Sequence, residues 1–209
     1  MSRTLWVGVG LLIVILAVAF VMSRVPPARG PAASVMGQVA DFTLTNQHGQ
    51  MVTLANLKGS VWVADIIFTR CAGPCPRMTQ QMKLLQAALP PTSKARLVTL
   101  TTDPDYDTPE VLNSYAQHFE ADPERWMFLT GTKKEIAALA IDSLKLTAIE
   151  KSPEDREDPA DLFIHATIMV VVDKAGRLRG IFETEGEGID AAQERRELLA
   201  LVAQLERER

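Results

Sequence analysis

Two short stretches of the chain alternate apolar and polar residues, Asp41-Phe42-Thr43-Leu44-Thr45 and Met51-Val52-Thr53-Leu54. Period-two alternation on either side of Asn46-Gln47-His48-Gly49-Gln50 predicts a β-hairpin with its tip at His48-Gly49. Ala55 to Gly59 reads as a short helical turn closed by Gly59. The pattern then becomes continuous. The apolar runs Val61 to Phe68 and Ala95 to Thr101 predict strands buried on both faces. Between them, Pro76 to Leu89 carries Met78, Met82, Leu85 and Leu89 at helical spacing, and Pro90-Pro91 ends it. The methionine stripe is core packing rather than a set of thioether ligands.

Further along, Thr108-Pro109-Glu110 opens a helix to about Phe119, Arg125 to Leu129 a brief strand, and Thr132 to Ile141 another helix. Lys145 to Ile149 reads as an edge strand. Leu162 to Val172 reads as one long strand, turned at Asp173-Lys174-Ala175-Gly176 and paired back through Arg177 to Phe182. Ile189 to about Glu206 is an amphipathic helix with Leu198, Leu199, Val202 and Leu205 inward. Lys151 to Asp161 is charged and contains proline, which predicts an exposed insertion. A β-hairpin, then βαβα, then antiparallel ββα is an α/β layout of the thioredoxin-like kind with an extra N-terminal β-hairpin.

The N-terminus changes the picture. Thr4 to Ser23 is 20 residues without a charge. As a helix it would span the roughly 30 Å hydrocarbon core of a bilayer. Ala17-Val18-Ala19 resembles a signal-peptide cleavage site, but Phe20-Val21-Met22 continues the apolar run and no polar region precedes a cut. An uncleaved transmembrane helix over residues 1–24 is the expectation, followed by a proline-containing linker over 25–34 and a folded domain over 35–209. A short N-terminus before one large domain predicts an inner-membrane protein, single-pass, with its domain in the periplasm or an equivalent extracytoplasmic space. Removing Arg3, Arg24 and Arg29 from the 22 basic residues leaves 19 against 26 acids, a net charge of −7 beyond the anchor. No basic stripe appears, which argues against nucleic acid as a partner.

The candidate chemistry lies between the first buried strand and its helix, in Phe68-Thr69-Arg70-Cys71-Ala72-Gly73-Pro74-Cys75-Pro76. It contains both cysteines of the chain, spaced C-x-x-x-C. Pro76 suits the first position of a helix, which puts Cys75 near the N-cap and Cys71 in the loop ahead. There the helix dipole is expected to lower thiol pKa values. Of the three histidines, His48 belongs to a turn tip and His118 to the second helix beside Phe119, where it packs or faces water. His165, 94 residues after Cys71, enters the penultimate strand, whose entry lies against the cysteine turn in thioredoxin-like folds. Two thiolates and an imidazole form a soft donor set suited to Cu(I) and, with a fourth ligand, Cu(II). Zinc would accept the same donors but normally takes four.

Taken together, these segments resemble the SCO/SenC family, the thioredoxin-like copper-handling proteins of cytochrome c oxidase assembly. The resemblance covers about Val35 to Glu206. It rests on Asp41-Phe42-Thr43-Leu44 with His48-Gly49, the cysteine stretch, and Asp103-Pro104 with Asp107-Thr108-Pro109-Glu110. His165 leading to Val171-Val172-Asp173-Lys174-Ala175-Gly176 completes it. It implies copper binding through Cys71, Cys75 and His165. It also implies a metallochaperone role toward the copper-bearing oxidase subunit, with other copper donors or thiol-disulfide proteins as further partners. Asp103 matches a family acid near the site, with a supporting or transient fourth-ligand role. Ala72-Gly73-Pro74 departs from the acid-containing filler often found between the cysteines.

Two other functions use the same residues. In a thiol-disulfide oxidoreductase, one of Cys71 and Cys75 attacks a client disulfide and the other resolves it. That activity would not need His165. A thiol peroxidase would need an arginine turned onto a low-pKa cysteine, and Arg70 is the neighbouring candidate.

Overall fold

The computed structural model describes residues 34–146, 148–150, 154, 163–165 and 167–208, with 148–150 and 163–165 described as paired backbone only. The expected anchor, nearly all of the linker and most of the charged stretch 151–161 lie outside these residues. Among the described residues, no helix is long and apolar enough to cross a membrane.

The strands are β1 (Gly37–Gln38), β2 (Thr43–Asn46), β3 (Met51–Thr53), β4 (Trp62–Ile67), β5 (Arg96–Thr101), β6 (Trp126–Thr130), β7 (Ala148–Glu150), β8 (Phe163–His165), β9 (Ile168–Val172) and β10 (Arg177–Glu183). The helices are α1 (Leu54–Leu57), α2 (Cys75–Ala88), α3 (Pro109–His118), α4 (Lys133–Ala137) and α5 (Ala191–Arg207). An eight-stranded sheet runs in the order β1-β10-β9-β4-β5-β6-β2-β3. Its centre, β4-β5-β6, is parallel, and α2 and α3 make the crossovers that parallel neighbours require. The expected hairpin is β2-β3, with Gly49 at φ +75° supplying the turn.

Burial on both faces explains the unbroken apolar runs. Trp62, Ala64 and Ile66 of β4 pack on one face with Leu54, Leu57, Ile136 and Leu139. Val61 and Val63 pack on the other with Met82, Leu85, Leu112, Leu198 and Val202. Met78, Met82 and Leu85 are fully buried, so the methionine stripe is core, as its spacing predicts. The helix expected over Thr132 to Ile141 begins with a Thr132–Glu135 capping box, then widens into a π-helical stretch, Ala138–Ser143.

The strand expected over Leu162 to Val172 is two strands in two sheets. β9 pairs with β4 and β10, whereas β8, among the described residues, pairs with β7 in a separate two-stranded sheet. The edge strand expected at Lys145 to Ile149 is therefore β8's local partner. The β4–β9 register ends at Ala64↔Val170, and Phe163–His165 find their pairing with Ala148–Glu150 instead.

Candidate functional site

β4 ends at Ile67, whose carbonyl accepts from Thr102 N at 2.8 Å and keeps the strand end against the loop that follows β5. The chain then turns, with Cys71 N donating to Phe68 O at 3.3 Å. Pro74 is the N-cap of α2, Cys75 its first residue and Pro76 its second. The helix thus begins one residue earlier than Pro76 alone suggests. Residues 71–74 stay non-helical, as Gly73-Pro74 favours, and this lets the two thiols approach and share a hydrogen bond.

The cysteines differ in environment. Cys75 is fully buried among Ile67, Phe68 and Met78, and its Sγ accepts from Phe68 N at 3.5 Å. Cys71 is half-exposed, and its Sγ accepts from Gly73 N at 3.3 Å. Burial pushes the Cys75 thiol far above its usual pKa, helped by the hydrogen bond and charge of Cys71 and by the charge of Asp65, against the Phe68 N–H. The lowering expected from the helix dipole does not occur at Cys75. A helix terminus contributes about 0.3–1 kcal/mol. Full burial can move a pKa by about 3–5 units, a larger effect.

Two carboxylates bond to the loop and a third acts on Cys75 by its charge. Asp107 is fully buried and accepts from Thr69 N at 3.1 Å and from the hydroxyls of Thr69 and Thr101. Desolvation raises its pKa even though these hydrogen bonds oppose the shift. Asp103 is paired with the Arg70 guanidinium, which lies 4.1 Å from the Tyr106 ring centroid. Asp103 therefore reaches the cysteine loop through Arg70, and Arg70 is turned onto Asp103 and Tyr106. Asp65 is fully buried on β4, on the side that carries Val63 and Ile67. Its charge is felt at Cys75 and at the Tyr115 phenol, which is raised mainly by burial. Thr79 donates to Cys75 O at 2.9 Å and shares a 2.9 Å hydrogen bond with Tyr115.

His48 is exposed at the hairpin tip, and His118 is exposed on α3 with its ring edge-on to Phe119. His165 ends β8 opposite Ala148. Because β9 runs antiparallel to β4, Thr167, just ahead of β9, lies at the sheet end that carries the cysteine loop. Among the described residues, no cluster of three or more His, Cys, Asp and Glu side chains is assembled for a metal; the His165 side chain is outside that set. Sequence reasoning missed Asp65, although an acid inside an apolar run is itself a signal. It also missed Asp107 as a loop anchor and Arg77 with Glu185 as a pair. Arg77 and Glu185 lie 108 residues apart and carry no motif.

Comparison with known proteins agrees with this architecture. The chain is 38% identical over 143 residues to the SCO1 protein homolog of Bacillus subtilis strain 168, covering 68% of this chain and 71% of that protein. BsSco, a Sco family cytochrome c oxidase assembly protein in which a disulfide switch was identified, superposes with a TM-score of 0.71 at 28% identity. That match covers 86% of this chain and all of BsSco. Copper-bound ScoI of Bradyrhizobium japonicum superposes with a TM-score of 0.60 at 27% identity, over 76% of this chain and 98% of ScoI. The SCO1/SenC family model matches residues 32–200, nearly the whole folded region, and the chain belongs to that family.

Proposed function

We propose that this chain binds copper through Cys71, Cys75 and His165 and passes it to the copper-bearing subunit of cytochrome c oxidase during assembly. The observation that carries the reading is the thiol pair itself. Two sulfurs in hydrogen-bond contact sit at one strand end, one fully buried and one half-exposed. A soft two-sulfur pair favours Cu(I), and an imidazole from the β8 end would make it three-coordinate. Copper bound to Bradyrhizobium japonicum ScoI supports the same cargo here. Both thiols must lose their protons to bind the metal, and the half-exposed Cys71 offers the side from which a partner's ligand can approach. Asp103, held by Arg70, acts in this reading as a support for the loop rather than as a ligand. The domain works from a single N-terminal transmembrane helix, in the periplasm or an equivalent space.

A second reading has its own observation. Two thiols close enough to interact are placed to form a disulfide, and a disulfide switch was identified in BsSco. As a thiol-disulfide oxidoreductase, the chain would reduce cysteines of the oxidase subunit or another exported client: Cys71 attacks, Cys75 resolves, and the client leaves as a dithiol. His165→Ala separates the readings. Copper transfer to a soluble copper-bearing oxidase domain should fall at least tenfold in this variant, with reduction of a model disulfide unchanged. Undiminished copper transfer by His165→Ala would contradict the three-ligand reading.

A further inference from the structure

Thr167 lies two residues after His165 and is held from the end of β10. Its carbonyl accepts from Thr184 N at 2.7 Å and from Thr184 Oγ1 at 2.8 Å, and its hydroxyl donates to Glu185 O at 3.3 Å. The Glu185 side chain bonds instead to α2. It takes a two-point ion pair from Arg77, with Nε to Oε1 and Nη2 to Oε2 both at 2.8 Å. Arg77 stands two residues after Cys75, and its Nη1 also donates to Gly73 O at 3.3 Å, inside the cysteine loop. Gly73 N in turn donates to Cys71 Sγ. A continuous path therefore runs from the Cys71 sulfur through Gly73, Arg77 and Glu185 to Thr167, at the foot of the histidine segment.

We infer that the Arg77–Glu185 pair is a strap that positions the His165 segment against the cysteine loop. This rests on the reading that Cys71, Cys75 and His165 hold copper. Both side chains are partly solvent-exposed, at 63% for Arg77 and 24% for Glu185, so the pair adds little to global stability. Its two-point geometry still fixes direction, which a single contact does not. What it restricts is the drift of one ligand's backbone relative to the other two. Misplacing one ligand of three costs affinity for the metal while leaving the fold intact.

Glu185→Gln tests the strap and separates it from a charge effect. Two thiolates with one Cu(I) carry one more negative charge than two thiols, so by charge alone removing a nearby anion would tighten binding. The strap predicts the reverse. Cu(I) affinity of the reduced full-length chain, measured by competition with a chromogenic chelator, should fall about fivefold, the scale of an exposed ion pair. In the His165→Ala background the same substitution should no longer weaken binding, because the strap acts through His165. The unfolding midpoint should be unchanged. Unchanged or tighter binding by Glu185→Gln, or an equal loss with and without His165, overturns the strap. If the unsubstituted chain retains no Cu(I), or His165→Ala binds as tightly as it does, the ligand set fails first and the strap falls with it.

Discussion

Asp107→Ala should loosen the cysteine loop without touching a cysteine. The carboxylate is fully buried and accepts from Thr69 N, Thr69 Oγ1 and Thr101 Oγ1. The threonine hydroxyls can rotate to other acceptors after truncation. The Thr69 N–H cannot, and a buried donor left without a partner costs about 1–3 kcal/mol. Loss of the remaining bonds and of the side chain's packing brings the total to about 2–4 kcal/mol. For a domain of this size that corresponds to a fall of about 4–16 °C in Tm. Asp107→Asn keeps one acceptor oxygen for Thr69 N and removes a desolvated charge, so it should cost about 1 kcal/mol or less. The two variants also differ in pH response. Burial raises the Asp107 pKa in the folded state above 3.8. The folded state therefore holds this proton more tightly than the unfolded one. Its contribution is most favourable below the unfolded pKa and declines as pH rises through the folded value. The stability of the native chain relative to Asp107→Asn should accordingly be greatest at or below about pH 4 and fall above it. Urea denaturation at pH 4 and pH 7 measures both effects. A loss below about 0.5 kcal/mol for Asp107→Ala, within the range of an ordinary surface change, would refute the anchoring role.

Other consequences are accessible to simple assays. Cys71 should be alkylated at least about tenfold faster than Cys75 in the folded, reduced chain at pH 7, because reactivity follows exposure and thiolate content. Peptide mass spectrometry over time reads this directly, and equal rates would contradict the buried, raised Cys75. At the other end of the sheet, Arg179 has a side chain only 3% exposed and pairs with Asp173 and Glu208. Arg179→Ala should cost about 3–5 kcal/mol in denaturant unfolding, the usual effect of breaking a buried ion pair. Burial works to raise the Asp173 carboxyl, but bonds from Arg177 and Arg179 outweigh it and lower its pKa below 3.8. Glu208 is lowered below 4.5 chiefly by Arg179. Stability from these acids is complete above their unfolded pKa values and is lost as pH falls below about 4. Arg179→Ala should flatten that acid limb of the stability curve.

Much of the fold could be read from the chain because its patterns are strong and local. β2-β3, β4, β5 and the Met78-Met82-Leu85 face of α2 follow from period-two alternation, unbroken apolar runs and helical spacing. The C-x-x-x-C turn was legible for the same reason, since its strand, loop and helix start are contiguous. Long-range effects were not. A single apolar pattern from Leu162 to Val172 does not reveal that Phe163–His165 pair with Ala148–Glu150 in a separate sheet. The behaviour of Cys75 depends on burial by Phe68 and Met78 and on charge from Asp65, which outweigh the local helix dipole. Arg70 was read as a neighbour of Cys71, but its direction is set by Asp103 and Tyr106 from the loop after β5. Arg77 and Glu185 meet only because β10 ends beside the start of α2.

In the proposed function, Cys71, Cys75 and His165 make one copper site. Its most direct test is the copper content of the reduced full-length chain after anaerobic loading with Cu(I) and removal of loosely held metal. Cys71→Ser and His165→Ala are measured alongside. The expected result is one copper per chain, lost on substitution of Cys71 and held at least about tenfold more weakly on substitution of His165. No retained copper in the unsubstituted chain would contradict it and leave dithiol exchange at Cys71 and Cys75 as the chemistry of this site.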